Sequence, residues 1–291
     1  MAERAASSTA VLVCQGRATA DGRYAVGRFS DPVARELLDP PDRLIVDRVR
    51  ADQVPTEAAG RLAYEMVRRT GLTMVPRTIS IDEAIRGHAA GQVVILGAGL
   101  DARAWRMSEL ARAAVFEVDH PASLRDKLRR IGGLAPTAGR IVPVPTDLAT
   151  ERLGPALERA GFDRQAATTW VWEGVVPYLT AHEVRATVAQ IAELSAPDSR
   201  LVVNYQAKSL PTTVMRQVMR LVLRATRQPD PLAGEPWRSL WRPDDMRKLL
   251  RDNGFSVMSD SDLLALSEGL ALPSDNNGSL RNGRVAVAAR R

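Results

Sequence analysis

Between residues 92 and 205 the chain alternates short apolar runs with segments of helical pattern, and this rhythm constrains the fold more than any other feature. The runs are "QVVILG" (92–97), "AVFEVD" (114–119), "RIVPVP" (140–145), "TTWVWE" (168–173) and "RLVVNY" (200–205). Each is short, apolar and rich in β-branched or aromatic residues, as strands buried on both faces are. Helices are expected near 80–90, near 101–110, from Pro121 to about Ile131, near 151–160 up to Gly161, and from Thr180 to Leu194. Thr180 with Glu183 three residues on has the pattern of a capping box. Strands alternating with helices predict an α/β fold with a parallel sheet covered by helices on both sides. After the fifth strand the rhythm breaks. "TTVMRQVMRLVLRAT" within 208–240 reads as a helical cap, "RPDDMRKLLRDNG" as a helix, and "FSVMSD" and "RVAVAAR" as two strands closing an antiparallel hairpin on the sheet edge.

The first 75 residues read as helices and loops. In "DPVAREL" (31–37) Asp31 is expected to cap a helix that starts at Pro32. "TEAAGRLAYEMVRRT" (56–70) places Leu62, Met66 and Val67 on one face, with Gly71 as its stop. The expected organisation is a helical segment over 1–75 covering the site and a core over 76–291, with the cap inserted at about 208–240.

Composition excludes more than it assigns. The single cysteine, Cys14, allows no intrachain disulfide, and with the scattered histidines His88, His120 and His182 it argues against a metal centre. The net charge of +6 would suit a nucleic-acid binder. The basic residues, however, are dispersed among acids, and the densest cluster, "RDKLRR" (125–130), reads as a solvated helix face. Neither nucleic acid nor membrane is therefore expected as a partner. No apolar run approaches the roughly 18–20 residues that span a bilayer. The opening "MAERAASSTAVLVCQG" lacks the apolar core of a secretory signal, so a cytoplasmic protein is expected.

"VVILGAGLDARAW" (93–105) is where function enters. Gly97 and Gly99 stand at a strand-to-helix turn, where glycine permits a sharp bend and close approach of a ligand to the backbone. Asp119 ends the next strand, twenty residues beyond Gly99, where an acid can accept from ribose hydroxyls. Gly97-x-Gly99-x-x-Ala102 also satisfies the loose dinucleotide fingerprint, so an NAD(P)-dependent oxidoreductase of Rossmann type, or a non-catalytic nucleotide-binding protein, stays open. Asp101, two residues after Gly99, disfavours a pyrophosphate there, whereas a cationic sulfonium cofactor tolerates it.

Taken in order, "QVVILGAGLDARAWRM", "VFEVDHPASLRDK", "PTDL" and "WVWEGVVPYLT", with "TAVLVCQGRA" and "FSDPVAREL" before them, resemble the leucine carboxyl methyltransferase family. The likeness spans about residues 9–205, with a looser echo in "WRPDDMRKLLRDNGFSV". It implies a Rossmann-like class I methyltransferase fold, seven-stranded and mostly parallel, with a C-terminal antiparallel hairpin and a helical cap. It implies S-adenosyl-L-methionine as cofactor and O-methylation of a small molecule in bacterial specialised metabolism. By the same likeness Arg77, and near it Arg17, hold the cofactor's carboxylate. Gly97 and Gly99 line its methionine portion, Asp119 binds ribose, Asp147 and Leu148 sit beside adenine, and Glu173 stands at the amino end. Tyr178 lies near the acceptor. Ala102 departs from the family, which has Thr or Ser there, and the 208–240 segment is short, which suits a small acceptor.

A carboxylate acceptor needs no base, and a phenol or alcohol does. Only His182, after "VVPYLT", offers one from sequence. Met215, Met219, Leu221 and Leu223 are candidates for an apolar acceptor wall or for packing of the cap.

Overall fold

The computed structural model describes residues 7–148, 150–208, 237–273 and 277–291. Seven strands form one sheet: β1 (Gln92–Leu96), β2 (Ala114–Asp119), β3 (Arg140–Pro145), β4 (Thr168–Trp172), β5 (Arg200–Gln206), β6 (Phe255–Asp262) and β7 (Gly283–Arg290). Their order is β3-β2-β1-β4-β5-β7-β6. The first five are parallel to their neighbours, while β7 runs antiparallel to both β5 and β6. The expected α/β class and closing antiparallel pair are both present. The pair is not a tight hairpin: β7 returns after residues 263–282 and slots between β5 and β6.

Alternation along each strand sends neighbouring side chains to opposite faces. Val94, Leu96, Phe116, Trp170, Trp172 and Val203 enter one core, roofed by α7 (Leu153–Arg159), α8 (Ala181–Leu194) and α9 (Pro243–Asp252). Val93, Ile95, Val115, Val171 and Val202 enter the other, where α1 (Ser8–Ala20), α3 (Pro40–Arg50) and α4 (Ala58–Arg86) pack. The capping box at the start of α8 forms as its sequence predicts, with Thr180 and Glu183 each satisfying the other's backbone N–H.

The N-terminal helices depart from the reading above. The segments at 56–70 and 80–90 are one 29-residue helix, α4, which passes through Gly71 and Pro76. Gly71 is therefore not a stop. It is the point where α4 crosses α1: a Cβ there would lie 3.2 Å from the Gly16 carbonyl oxygen, and one on Gly16 would lie 2.6 Å from Thr70 Cγ2. Burial of nearly every residue from Met74 to Ile79 carries the helix across the N–H that Pro76 lacks. The 75/76 division thus falls inside α4. Of the expected face Val67 is buried, but Leu62 lies on the solvent side at 55% exposure, and Tyr64 faces the core instead.

Two smaller corrections follow the chain. Helix α2 (Val33–Glu36) begins one residue later than expected, although Asp31 Oδ1 does accept from the Ala34 N–H at 3.1 Å. The helix expected near 101–110 is only a turn, α5 (Arg103–Arg106), because Met107 is extended (φ −95°, ψ 109°) and a 3₁₀ turn over Ser108–Leu110 follows. Helix α6 spans Pro121–Ile131 as predicted. The cap segment with Met215, Met219, Leu221 and Leu223 lies outside the described residues. No helix among those described is long and apolar enough to cross a membrane.

Candidate functional site

Strand order reverses direction between β1 and β4, the place where open α/β sheets hold ligands beyond their carboxyl ends. A cavity of about 500 Å³ opens there, within the ~300–1,000 Å³ typical of small-molecule sites. Arg17, Arg77, Gly97, Gly99, Asp119, Asp147, Leu148, Glu173 and Tyr178 all line it. His182 does not; it is exposed on the first turn of α8.

The glycine turn forms the floor. Gly97 (φ +66°) and Gly99 (φ +43°) adopt left-handed conformations that side chains disfavour. A Cβ on Gly97 would overlap Val175 Cγ2, which reaches across from the end of β4. Gly97→Ala is therefore expected to lower ligand affinity about tenfold through backbone strain and displacement of Val175. Calorimetry on the folded variant checks this, and unchanged affinity would show that the turn tolerates the shift.

Asp119 holds the turn in place. Its carboxylate accepts from the Gly99 N–H and the His120 N–H, each at 2.6 Å. Burial pushes its pKa above the ordinary 3.8, with those two N–H groups partly offsetting the rise. Beside it, Thr146 lines the cavity with a buried hydroxyl that has no hydrogen-bond partner. Helix α1 forms the opposite wall: Thr9, Ala10, Val13 and Arg17 line it, and a Cβ on Gly99 would stand 3.3 Å from Ala10 Cβ.

Glu173 at the end of β4 is paired on both sides. Its Oε2 accepts from Arg103 Nη1 at 2.7 Å, and its Oε1 lies 2.7 Å from Arg77 Nε. The second contact is an ion pair without alignment, so Arg77 Nε and Glu173 Oε1 are both buried with no hydrogen bond. Burial disfavours the Glu173 carboxylate, but Arg103, then Arg77 and Arg17, outweigh it and hold its pKa far below the ordinary 4.5. Arg17 is engaged as well, donating to Asp31 Oδ2 at 2.8 Å and to the Leu100 carbonyl at 2.6 Å. Asp101 accepts from the Arg103 backbone N–H at 2.8 Å and pairs with the Arg103 guanidinium.

The donor set fits a zwitterionic amino-acid end. Glu173 and Arg77 stand side by side on the cavity wall, an acid suited to an ammonium and a guanidinium suited to a carboxylate, with Oε1 and Nε 2.7 Å apart and no aligned hydrogen bond between them. Asp119 suits a ribose, and Thr146, Asp147 and Leu148 provide the mixed polar and apolar lining an adenine needs. Sequence reading missed Arg103, Asp82, Arg106 and Asp31, which brace these groups from behind. The only local sign was the Asp101-x-Arg103 spacing after the glycines, and one more arginine does not stand out in so arginine-rich a chain. It also missed Thr146, His120 and Arg238 on the cavity wall.

Residues 10–192 match the family described as leucine carboxyl methyltransferase. A relative from Mycobacterium marinum (strain ATCC BAA-535 / M) is 35% identical over 280 residues, covering 89% of this chain and 85% of the relative. One from Streptomyces coelicolor is 34% identical over 241 residues, covering 79% and 75%. Both bear the name "Putative S-adenosyl-L-methionine-dependent methyltransferase". Among solved structures, a methyltransferase so named from Thermobifida fusca aligns with a TM-score of 0.54 at 16% identity, covering 99% of this chain and 96% of that one. A DUF574 family protein from Streptomyces avermitilis aligns at 0.56 and 14% identity, covering 98% of each chain. These two share the fold.

Proposed function

As a member of the leucine carboxyl methyltransferase family this chain is an S-adenosyl-L-methionine-dependent methyltransferase, and we propose that it methylates an oxygen, a carboxylate foremost, of a small molecule in specialised metabolism. The observation that supports an already ionised acceptor is the lack of a placed general base among the described residues lining the cavity. Glu173 is clamped by two arginines and its depressed pKa makes it a poor proton acceptor. His120 lines the cavity, but its Nδ1 accepts from the Ala122 N–H, which leaves the proton on Nε2. His182 is off the cavity altogether.

Bound S-adenosyl-L-methionine supplies an electrophilic methyl carbon on sulfur. The chain's own residues orient and desolvate. Arg77 and Glu173 hold the amino-acid end, Asp119 holds the ribose, and the Gly97–Gly99 backbone leaves room for the chain between them. Tyr178 and Leu179, past the end of β4, face the acceptor side, where the Tyr178 hydroxyl can orient an oxygen in line with the methyl group. Arg238 lines the same side, 3.4 Å from Glu183, and places a cation near the mouth that attracts an anionic acceptor. The cytoplasm and the absence of nucleic-acid or membrane partners belong to the same proposal.

The test has two parts. Native protein titrated with S-adenosylhomocysteine is expected to bind it, and acceptors screened with methyl-labelled cofactor are expected to yield a product that releases labelled methanol in alkali, as methyl esters do. Label stable to alkali would redirect the proposal to a phenol, alcohol or nitrogen. A thermal response to a nicotinamide dinucleotide with none to S-adenosylhomocysteine would favour the oxidoreductase reading. Against that reading stands β7, antiparallel within the sheet, where the dinucleotide order 3-2-1-4-5-6 is parallel throughout.

A further inference from the structure

Behind the cavity, four arginines and four carboxylates are buried as one alternating run. Arg17 pairs with Asp31 at 2.8 Å, Asp31 with Arg106 at 3.5 Å, Arg106 with Asp82 at 2.7 Å, and Asp82 with Arg103 at 2.7 Å. Arg103 then pairs with Asp101 and, at 2.7 Å, with Glu173, and Glu173 meets Arg77 at 2.7 Å. Formal charges cancel, so the run stays ionised in the interior. Burial costs each guanidinium, and the facing carboxylates overcompensate at Arg103, whose pKa is raised well above its ordinary value.

Arg103 is the branch point. Its Nε is anchored to Asp82 on α4, while one Nη reaches both Asp101 on the glycine turn and Glu173 at the end of β4. It does not line the cavity. Of the two arginines at Glu173, only Arg103 makes an aligned hydrogen bond. That bond fixes Oε2 and sets the rotation of the carboxylate, leaving Oε1 beside Arg77 at 2.7 Å without an aligned hydrogen bond.

We propose that Arg103 is a positioning residue: anchored by Asp82, it orients Glu173 and Asp101 so that the Glu173 carboxylate faces the amino group of the cofactor. The proposal rests on the assignment of the cavity to S-adenosyl-L-methionine. A planar fork is required, because three carboxylates in different directions must be satisfied at once, and a lysine ammonium on a flexible stem does not reproduce that geometry.

The test compares two ligands. S-adenosylhomocysteine carries the amino-acid end, and 5′-methylthioadenosine is the same nucleoside thioether without it. Calorimetry on native protein and Arg103→Lys should show affinity for S-adenosylhomocysteine falling about tenfold to a hundredfold, while that for methylthioadenosine changes less than about twofold. Equal losses for both ligands would make Arg103 a general structural brace and overturn the proposal, as would unchanged binding of both. If Arg103→Lys does not fold, the decision passes to Asp82→Asn, which keeps the Arg103 charge and loosens its anchor. A selective loss of about threefold is expected there, and an unselective loss, or none, overturns the proposal. Native protein that binds neither ligand would instead defeat the cofactor assignment.

Discussion

Glu173→Gln is expected to cost about 3–5 kcal/mol of folding stability and to weaken S-adenosylhomocysteine binding by at least about a hundredfold. Glutamine keeps the shape but removes the charge that two buried arginines face, Arg77 and Arg103, each less than a tenth exposed. An uncompensated buried guanidinium is far costlier than a lost surface pair, and the ammonium of the ligand loses its counterion as well. The stability effect carries a pH signature. The native carboxyl has a pKa far below the ordinary 4.5, so the unfolded chain takes up a proton first on acidification. Its contribution is therefore complete above about pH 5 and is lost as pH falls below 4.5 toward the native value. Denaturant melts of native and Glu173→Gln protein should show the full gap at pH 7 and a narrowing one in acid. A constant gap down to the lowest pH at which both fold would mean that Glu173 is not the ionised centre of the network.

Asp119→Ala should have a comparable effect on binding with a smaller one on folding. The substitution orphans the Gly99 and His120 N–H groups, which the carboxylate accepts at 2.6 Å each, and removes the acceptor for the ribose. Two hydrogen bonds from ribose hydroxyls to a charged acceptor, at ~1.5–3 kcal/mol each, translate to about a hundredfold or more in affinity. Asparagine is not a neutral replacement, since its amide presents a donor to one of the two N–H groups. Here the pH dependence follows the native carboxyl itself. Burial raises the native pKa above 3.8, and ribose hydroxyls need the ionised form, so affinity should start to fall on acidification before pH reaches 3.8. Calorimetry over a pH series measures this. An Asp119→Ala protein that binds within about threefold of native would remove Asp119 from the site.

Much of this architecture is written locally. Every strand lies within a residue or two of its predicted bounds, because a short apolar run flanked by glycine, proline or a helix cap leaves few alternatives. The cap at Thr180 and the helix start at Pro121 read correctly for the same reason. The failures share a different cause. Gly71 reads as a stop, and only the packing of α4 against α1 and the sheet carries the helix through it and through Pro76. The position 75/76 lies within α4, a helix that packs on both α1 and the sheet. Glu173 is a candidate on sequence, but its partner is not legible there: Arg103 is 70 residues away in sequence and 2.7 Å away in space.

The sequence alone determined the α/β class, the strand count, the glycine turn and the acids at the ends of β2 and β4, all of which follow from patterns a few residues long. Tertiary structure decided which arginines meet which acids, where β7 enters the sheet, and that Arg77 and Glu173 stand paired yet each with one atom unsatisfied. The physical reason is that backbone conformation answers mainly to near neighbours in the chain. The charge state and readiness of a buried site answer to whatever the fold brings within a few ångströms, and in an arginine-rich chain no local pattern marks which guanidinium that is.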